Sequence, residues 1–80
     1  MTEPEALKWV TELFQEPSIL IPELPRDGVK GWDSLGVLIL IAALDDDFDI
    51  AVSDEEVERL QSVGDILDVL RKNGKLNHAS

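Results

Sequence analysis

The sequence predicts a small all-α protein: a four-helix bundle of three main helices and one short helix, with a long first loop. Apolar residues recur at the three- and four-residue spacing that is typical of a buried helix face. Residues that favour a helix start stand before four segments, namely Thr2, Asp33, Ser53 and Ser62. No segment alternates apolar and polar residues as a half-buried strand does. We therefore expect a single domain over residues 1–80, ordered from about 3 to 73.

The first helix is predicted to begin after Thr2, because Thr2 and Glu5 have the spacing of a capping box. Pro17 is expected to end it, since proline cannot continue a helix. The face predicted to be buried consists of Leu7, Val10 and Phe14, with Ala6, Trp9 and Leu13 beside it.

Residues 17–33 are predicted to form a loop without regular structure, because prolines and glycines interrupt the segment repeatedly. A loop of this length is uncommon in a small domain and is usually functional or packed on the surface. Packing against the helices is expected for its apolar residues, which are Ile19, Leu20, Ile21, Leu24, Val29 and Trp32.

Two capped segments follow near the end of the chain. Ser53 and Glu56 have capping-box spacing and predict a short helix to about Leu60. Ser62 is predicted to cap the last helix, which ends at Asn73-Gly74. Its buried stripe consists of Val63, Ile66, Leu67 and Leu70. Residues 75–80, with the only histidine, His78, are predicted to be a flexible tail.

The second helix has two apolar faces. One face remains apolar to its end and is predicted to contact the core, and it consists of Val37, Leu40, Ile41, Leu44 and Phe48. The other continues into Asp45 and Asp46, so we expect it to be exposed. We call its four apolar residues the apolar patch, which consists of Leu35, Leu38, Ile39 and Ala42. Such a patch is rarely displayed unless it binds something. The alternative is that the long loop covers both faces.

Ser34 is predicted to lie at the first position of this helix, because Asp33 is a preferred N-cap residue. Its hydroxyl would face solvent beside backbone N–H groups that have no helical partner. These groups and the positive end of the helix dipole favour a phosphate. No histidine base stands at a plausible position for Ser34, which argues against nucleophilic catalysis. We therefore expect a tethering protein and not an enzyme.

Composition narrows the possible partners. A net charge of −10 repels nucleic acid and anionic membranes and attracts basic protein surfaces. The uncharged run Leu35–Leu44 is about half the ~20 residues of a membrane-spanning helix, so we expect no membrane insertion. The N-terminus shows no basic-plus-apolar signal, which predicts a cytoplasmic protein. From Asp45 to Glu58 there are eight acidic residues and no basic one, which indicates either recruitment of basic partners or a solubilising surface.

Four segments closely resemble acyl carrier proteins, and the resemblance covers about residues 3–73. They are Gly31-Trp32-Asp33-Ser34-Leu35, Leu44-Asp45-Asp46-Asp47-Phe48-Asp49-Ile50, Ser53-Asp54-Glu55-Glu56 and Val63-Gly64-Asp65-Ile66. The resemblance implies that 4′-phosphopantetheine is transferred from coenzyme A to Ser34 by a phosphopantetheinyl transferase. The terminal thiol of this arm would hold an acyl or aminoacyl group as a thioester, which supplies a thiol to a chain without cysteine.

The resemblance also implies where partners bind. The family meets its enzymes through positions that match Asp33, Leu35, Asp45, Asp46, Asp47 and Glu55 or Glu56 in this chain, and Asp33 and Leu35 would also flank the cofactor. The apolar patch, predicted from helical spacing, is expected to add an apolar contact with these partners. The partners would be an acyl- or aminoacyl-loading ligase and synthase or transferase enzymes with basic docking surfaces, acting on a monomer. Gly36 and Ile39 stand where carriers of general fatty-acid synthesis usually have carboxylates, and Trp32 resembles carriers of specialised pathways. We therefore expect a specialised stand-alone acyl or peptidyl carrier.

Two alternatives to the carrier interpretation remain at this point. An unmodified acidic helical adaptor could use the same apolar patch. A calcium-binding module is suggested by Asp45, Asp47, Asp49 and Glu56, at positions 1, 3, 5 and 12 of a calcium loop. However, Ile50 stands where that loop needs glycine, so no metal site is predicted.

Overall fold

The computed structural model of the chain describes residues 1–76, so His78 and most of the predicted tail lie outside the described residues. The helices are α1 (Glu3–Leu13), a 3-10 helix (Arg26–Gly28), α2 (Ser34–Phe48), α3 (Asp54–Glu58) and α4 (Val63–Lys72). Within residues 1–76 there is no β-strand, and the one β-bridge pairs Pro25 with Ser62. The predicted all-α fold, with three main helices and a short one, is confirmed.

All four predicted cap residues begin their helices. The Thr2 hydroxyl accepts a hydrogen bond from the Glu5 N–H, and the Glu5 carboxylate accepts one from the Thr2 N–H at 2.8 Å. These bonds from Thr2 to the charged carboxylate lower the pKa of Glu5 below its usual value. Ser53 forms the second capping box with Glu56, and Ser62 accepts a hydrogen bond from the Asp65 N–H.

Two helix ends differ from the prediction. α1 ends at Leu13, four residues before Pro17, because Gln15 adopts a left-handed backbone conformation with φ of 54°. α3 ends at Glu58 and does not reach Leu60. In both places the chain leaves the helix without a proline or glycine to mark the point, so composition alone gave no signal.

The long loop is more regular than predicted, since it contains the 3-10 helix. Its middle runs beside the start of α4, where the Arg26 N–H donates to the Gln61 carbonyl at 2.8 Å and the Gly64 N–H donates to the Pro22 carbonyl at 2.9 Å. Leu20, Val29 and Trp32 are buried, as expected for a packed loop. Ile19 and Ile21 are exposed, contrary to the prediction, and they flank the buried Leu20, whose N–H donates to the Thr11 hydroxyl.

One hydrophobic core joins the elements, with α1 packed against α2 and α4, and α2 packed against α3. The most completely buried large side chains are Leu40, Leu44, Ile66, Leu67, Leu70, Val10, Val57 and Val63. The chain also packs further than the predicted tail boundary, since Leu76 is buried and the Met1 amino group donates to the Lys75 carbonyl at 3.0 Å. No helix in residues 1–76 combines the length and apolarity needed to cross a bilayer.

Candidate functional site

The start of α2 presents a free serine hydroxyl. Asp33 is the N-cap, and its Oδ1 accepts a hydrogen bond from the Gly36 N–H at 2.8 Å. Its carbonyl accepts one from the Val37 N–H at 2.9 Å. Ser34, the first helical residue, is exposed, and its hydroxyl makes no hydrogen bond to any residue of the described chain. The predicted position of Ser34 is therefore the one observed.

The electrostatics of this helix start favour an anion. Within residues 1–76, the backbone N–H groups of Ser34 and Leu35 have no acceptor, since Asp33 caps the next N–H. Apart from the Asp33 carboxylate at the N-cap, no acidic residue stands in the first turn of α2, so no further negative charge opposes an anion at the positive end of the dipole. An ester of phosphate on the Ser34 hydroxyl would place its charge beside two unused donors.

Close backbone packing fixes the position of this helix start. A Cβ atom on Gly36 would lie 1.9 Å from the Gly31 carbonyl oxygen, and one on Gly31 would lie 2.7 Å from the Phe14 carbonyl oxygen. The end of α1, the turn before Asp33 and the first turn of α2 therefore touch through their backbones. A side chain at position 36 would force the Gly31 turn to shift, so the close packing gives a structural reason for glycine here.

Trp32 is a packing residue, as predicted for the packed loop. Its ring is buried and stacks on Phe14, with centroids 5.5 Å apart and planes inclined by 14°. The Arg26 guanidinium lies 5.3 Å from the Trp32 ring centroid, within the range of a cation–π contact. Trp32 thus anchors the loop immediately before the Asp33 cap and is not available to a partner.

The two faces of α2 lie as predicted. Val37, Leu40 and Leu44 are buried, and Ile41 and Phe48 pack against the core. On the apolar patch, the exposed fractions are 64% for Leu35, 58% for Leu38 and 40% for Ile39, and Ala42 is also exposed. The loop therefore does not cover both faces, and Asp45 and Asp46 continue the exposed face to the end of α2.

A shallow groove beside Ser34 was not foreseen from the sequence. It has a volume of about 230 Å³ and lies between the end of α1 and the first turns of α2. We call it the α1–α2 groove, and its lining consists of Leu13, Phe14, Gln15, Gly31, Asp33, Leu35, Gly36 and Ile39. The left-handed turn at Gln15, the glycine contacts and the stacking of Trp32 on Phe14 bring these separate segments together, and the sequence alone did not predict these contacts.

The acidic residues differ in whether their carboxylates already accept hydrogen bonds within residues 1–76. Asp45, Asp46 and Glu55 are exposed and accept no hydrogen bond from a side chain of residues 1–76, whereas Glu56 accepts hydrogen bonds from the Ser53 N–H and hydroxyl. Asp47 accepts a hydrogen bond from Trp9 Nε1 at 2.7 Å. Glu56 thus caps the start of α3, in addition to the contact with partner enzymes that the resemblance leads us to expect.

The calcium-loop alternative fails on geometry. Asp45 and Asp47, its first and third positions, lie in α2 and not in a loop. In the described part of the chain, no group of three or more histidine or acidic side chains is arranged to hold a metal ion.

Salt is expected to stabilise the fold, because the acidic end of α2 has no basic residue in its last turn and opposes the dipole. We expect added sodium chloride or millimolar divalent cations to screen this repulsion and to raise the free energy of unfolding by about 1 kcal/mol. A gain of this size raises Tm by roughly 4–8 °C in a domain of this size. Thermal unfolding followed by circular dichroism measures this shift. Asp45→Asn should reduce the salt dependence, and a Tm indifferent to both kinds of salt would contradict the prediction.

The comparison with known proteins decides the family. The family model described as the phosphopantetheine attachment site matches residues 31–70, a range that begins at the Gly31 turn and includes all of α2 and α3. Acyl carrier proteins from two bacteria match most of the chain: that of Syntrophobacter fumaroxidans is 39% identical over 62 residues, 78% of this chain and 76% of its own. That of Bdellovibrio bacteriovorus is 40% identical over 66 residues, 82% of this chain and 85% of its own. The chain belongs to the acyl carrier protein family.

A third acyl carrier protein, from Clostridium acetobutylicum, is 46% identical over 41 residues, which is 51% of this chain and 53% of its own. No solved structure matches. As a member of the acyl carrier protein family, the chain is a non-catalytic carrier with covalently attached 4′-phosphopantetheine. It is served by a phosphopantetheinyl transferase and acts with synthase enzymes, which favours the carrier interpretation over an unmodified adaptor.

Proposed function

We propose that Ser34 is the residue that bears phosphopantetheine and that the apolar patch presents the loaded arm to partner enzymes. The observation that supports Ser34 is the free state of its hydroxyl. The range matched by the family model contains three serines, and two of them, Ser53 and Ser62, use their hydroxyls to cap helices. Ser34 is exposed, and its hydroxyl is free of hydrogen bonds to residues 1–76.

The residues beside Ser34 fit a phosphodiester. The unused N–H groups of Ser34 and Leu35 stand at the positive end of a fifteen-residue helix. Asp33 directs its carboxylate to the Gly36 N–H, so it leaves these two donors to the phosphate. When bound, the arm supplies a terminal thiol that holds an acyl or aminoacyl group as a thioester. Asp33 and Leu35 then act as the residues on either side of the attachment point.

Ser34→Ala is expected to abolish modification while leaving the helical circular dichroism spectrum nearly unchanged. Alanine removes only the hydroxyl, which makes no hydrogen bond within residues 1–76. The test is electrospray mass after incubation with coenzyme A and a promiscuous phosphopantetheinyl transferase. Wild type and the control Ser18→Ala, which alters an exposed serine outside the helices, should gain one phosphopantetheine group.

Two results would overturn the assignment. Modification of Ser34→Ala would move the attachment to another serine. A wild-type chain that is never modified, although folded by circular dichroism, would favour the unmodified adaptor.

We further propose that the chain is a monomeric carrier for a specialised acyl or aminoacyl pathway. Ile39 supports this, because it gives the exposed face an apolar residue where carriers of general fatty-acid synthesis usually have a carboxylate. A loading ligase and synthases of that pathway would then make apolar contacts with Leu35, Leu38 and Ile39. Basic residues at the rim of such an interface would meet Asp45, Asp46 and Glu55. A net charge of −10 opposes association of two copies.

A further inference from the structure

The α1–α2 groove is lined by the two chain neighbours of the proposed attachment residue. Asp33 and Leu35, which precede and follow Ser34 in the chain, both line it. The groove then extends away from the helix start towards Leu13 and Gln15 at the end of α1 and towards Ile39 one turn further along α2. Ser34 itself does not line the groove, so a flexible group attached to its hydroxyl has to turn past Asp33 or Leu35 to enter it.

The lining of the groove matches the chemistry of pantetheine. Leu35 and Ile39 offer exposed apolar surface, and the pantoyl part of the arm, which follows directly after the phosphate, has two methyl groups on one carbon. Beyond it the arm contains two amides. Gln15 is exposed and contributes a side-chain amide, which can both donate and accept hydrogen bonds.

Covalent attachment makes weak contacts sufficient. A short flexible tether raises the effective concentration of its free end to about the millimolar range, so contacts too weak to bind a free molecule still populate a bound state. The end of α1 and the start of α2 are also held in backbone contact by Gly31 and Gly36, so the groove is formed before the arm is attached.

We propose that, while no partner enzyme is bound, the phosphopantetheine arm on Ser34 lies in the α1–α2 groove, with its paired methyl groups against Leu35 and Ile39 and its first amide near Gln15. This inference rests on the proposed attachment at Ser34. The arm then follows the inner edge of the apolar patch and leaves Leu38 and Ala42 free.

Nuclear magnetic resonance of the modified protein tests this position. The chain is labelled with carbon-13 and nitrogen-15 and then modified with unlabelled coenzyme A, so that filtered nuclear Overhauser effects report contacts between arm and protein only. We expect contacts from the paired methyl groups to Leu13, Leu35 and Ile39. The amide resonances of Gln15 and Gly31 should also shift on modification.

Two exposed residues of α2 provide a matched pair of variants. Ile39→Ala removes apolar surface inside the groove and should lose most of the contacts to Leu13. Leu38→Ala removes similar surface on the same helix outside the groove and should retain them, since Leu38 does not line it. The mass of each sample shows first that the arm is attached.

The outcomes separate the two proposals. If the folded wild-type chain gains no mass, the proposed attachment at Ser34 is wrong. If the arm is attached but contacts only Leu38, Ala42 or α3, or makes no contact, the attachment stands and the groove assignment is wrong. Equal loss of contacts in Ile39→Ala and Leu38→Ala would place the arm on the outer face and also overturn it.

Discussion

Gly36→Ala is expected to lower the stability of the fold severely, although alanine in a helix usually raises it. The new Cβ would lie 1.9 Å from the Gly31 carbonyl oxygen, and backbone cannot move aside as a side chain can. Overpacking costs about 1–3 kcal/mol and occasionally more, and a backbone clash belongs at the upper end. The gain in helix propensity is only about 1 kcal/mol. The net loss of roughly 2 kcal/mol or more corresponds to a Tm lowered by about 8–16 °C.

Thermal unfolding of a matched glycine pair measures this effect. In Gly28→Ala the new Cβ meets the flexible end of the Leu24 side chain at 2.9 Å, which can rotate away, so we expect a small change in Tm. Gly36→Ala should also be modified more slowly by the transferase, because relief of the clash moves the first turn of α2, which includes Ser34. A Tm of Gly36→Ala equal to or above that of wild type would contradict the prediction, because it would mean that the Gly31 turn shifts at little cost in free energy.

The features that the sequence predicted well are local. The caps at Thr2, Asp33, Ser53 and Ser62 depend on residues within one turn, and all four begin helices. The two faces of α2 follow from helical spacing alone, and the exposure of the apolar patch agrees with them. For the same reason the geometry at Ser34, a free hydroxyl beside a cap, could be predicted from a few neighbouring residues.

The features that the sequence did not predict depend on contacts between distant segments. Leu20 is buried, and its N–H donates to the Thr11 hydroxyl at 3.0 Å, a contact across nine residues, while its neighbours Ile19 and Ile21 stay exposed. The α1–α2 groove likewise needs the end of α1 to meet Gly31 and Gly36. The close approach of the Gly31 carbonyl to Gly36 is a contact of the same kind, and the sequence alone does not show it.

Ile39→Glu is expected to weaken binding of the native partner strongly while leaving the fold intact. Ile39 is 40% exposed on the outer face of α2, and glutamate is a good helix former, so the helix should tolerate it. Ile41→Glu is the matched control: this isoleucine packs against the core two residues further on, and a carboxylate there should unfold the chain. Circular dichroism and thermal unfolding distinguish the two variants before any partner is added.

The size of the binding effect separates apolar from charged contacts. Burying a side chain such as Ile39 is worth roughly 1.5–3 kcal/mol. Ile39→Glu should therefore lower the affinity of the chain for its native loading enzyme by about 10- to 150-fold. An exposed ion pair is worth about 0–1 kcal/mol, so Asp46→Asn should reduce affinity by at most about fivefold, mainly through a slower, salt-dependent association rate.

Assays of loading by the native partner and by enzymes of general fatty-acid synthesis complete the test. The carboxylate of Ile39→Glu stands where carriers of fatty-acid synthesis usually have one, so we expect those enzymes to accept this variant better than wild type. Unfolding of Ile39→Glu would mean that Ile39 belongs to the core and that the two faces of α2 are assigned wrongly. A folded variant that loads normally would mean that the native partner binds elsewhere, because a buried apolar contact cannot be exchanged for a carboxylate without a loss of affinity.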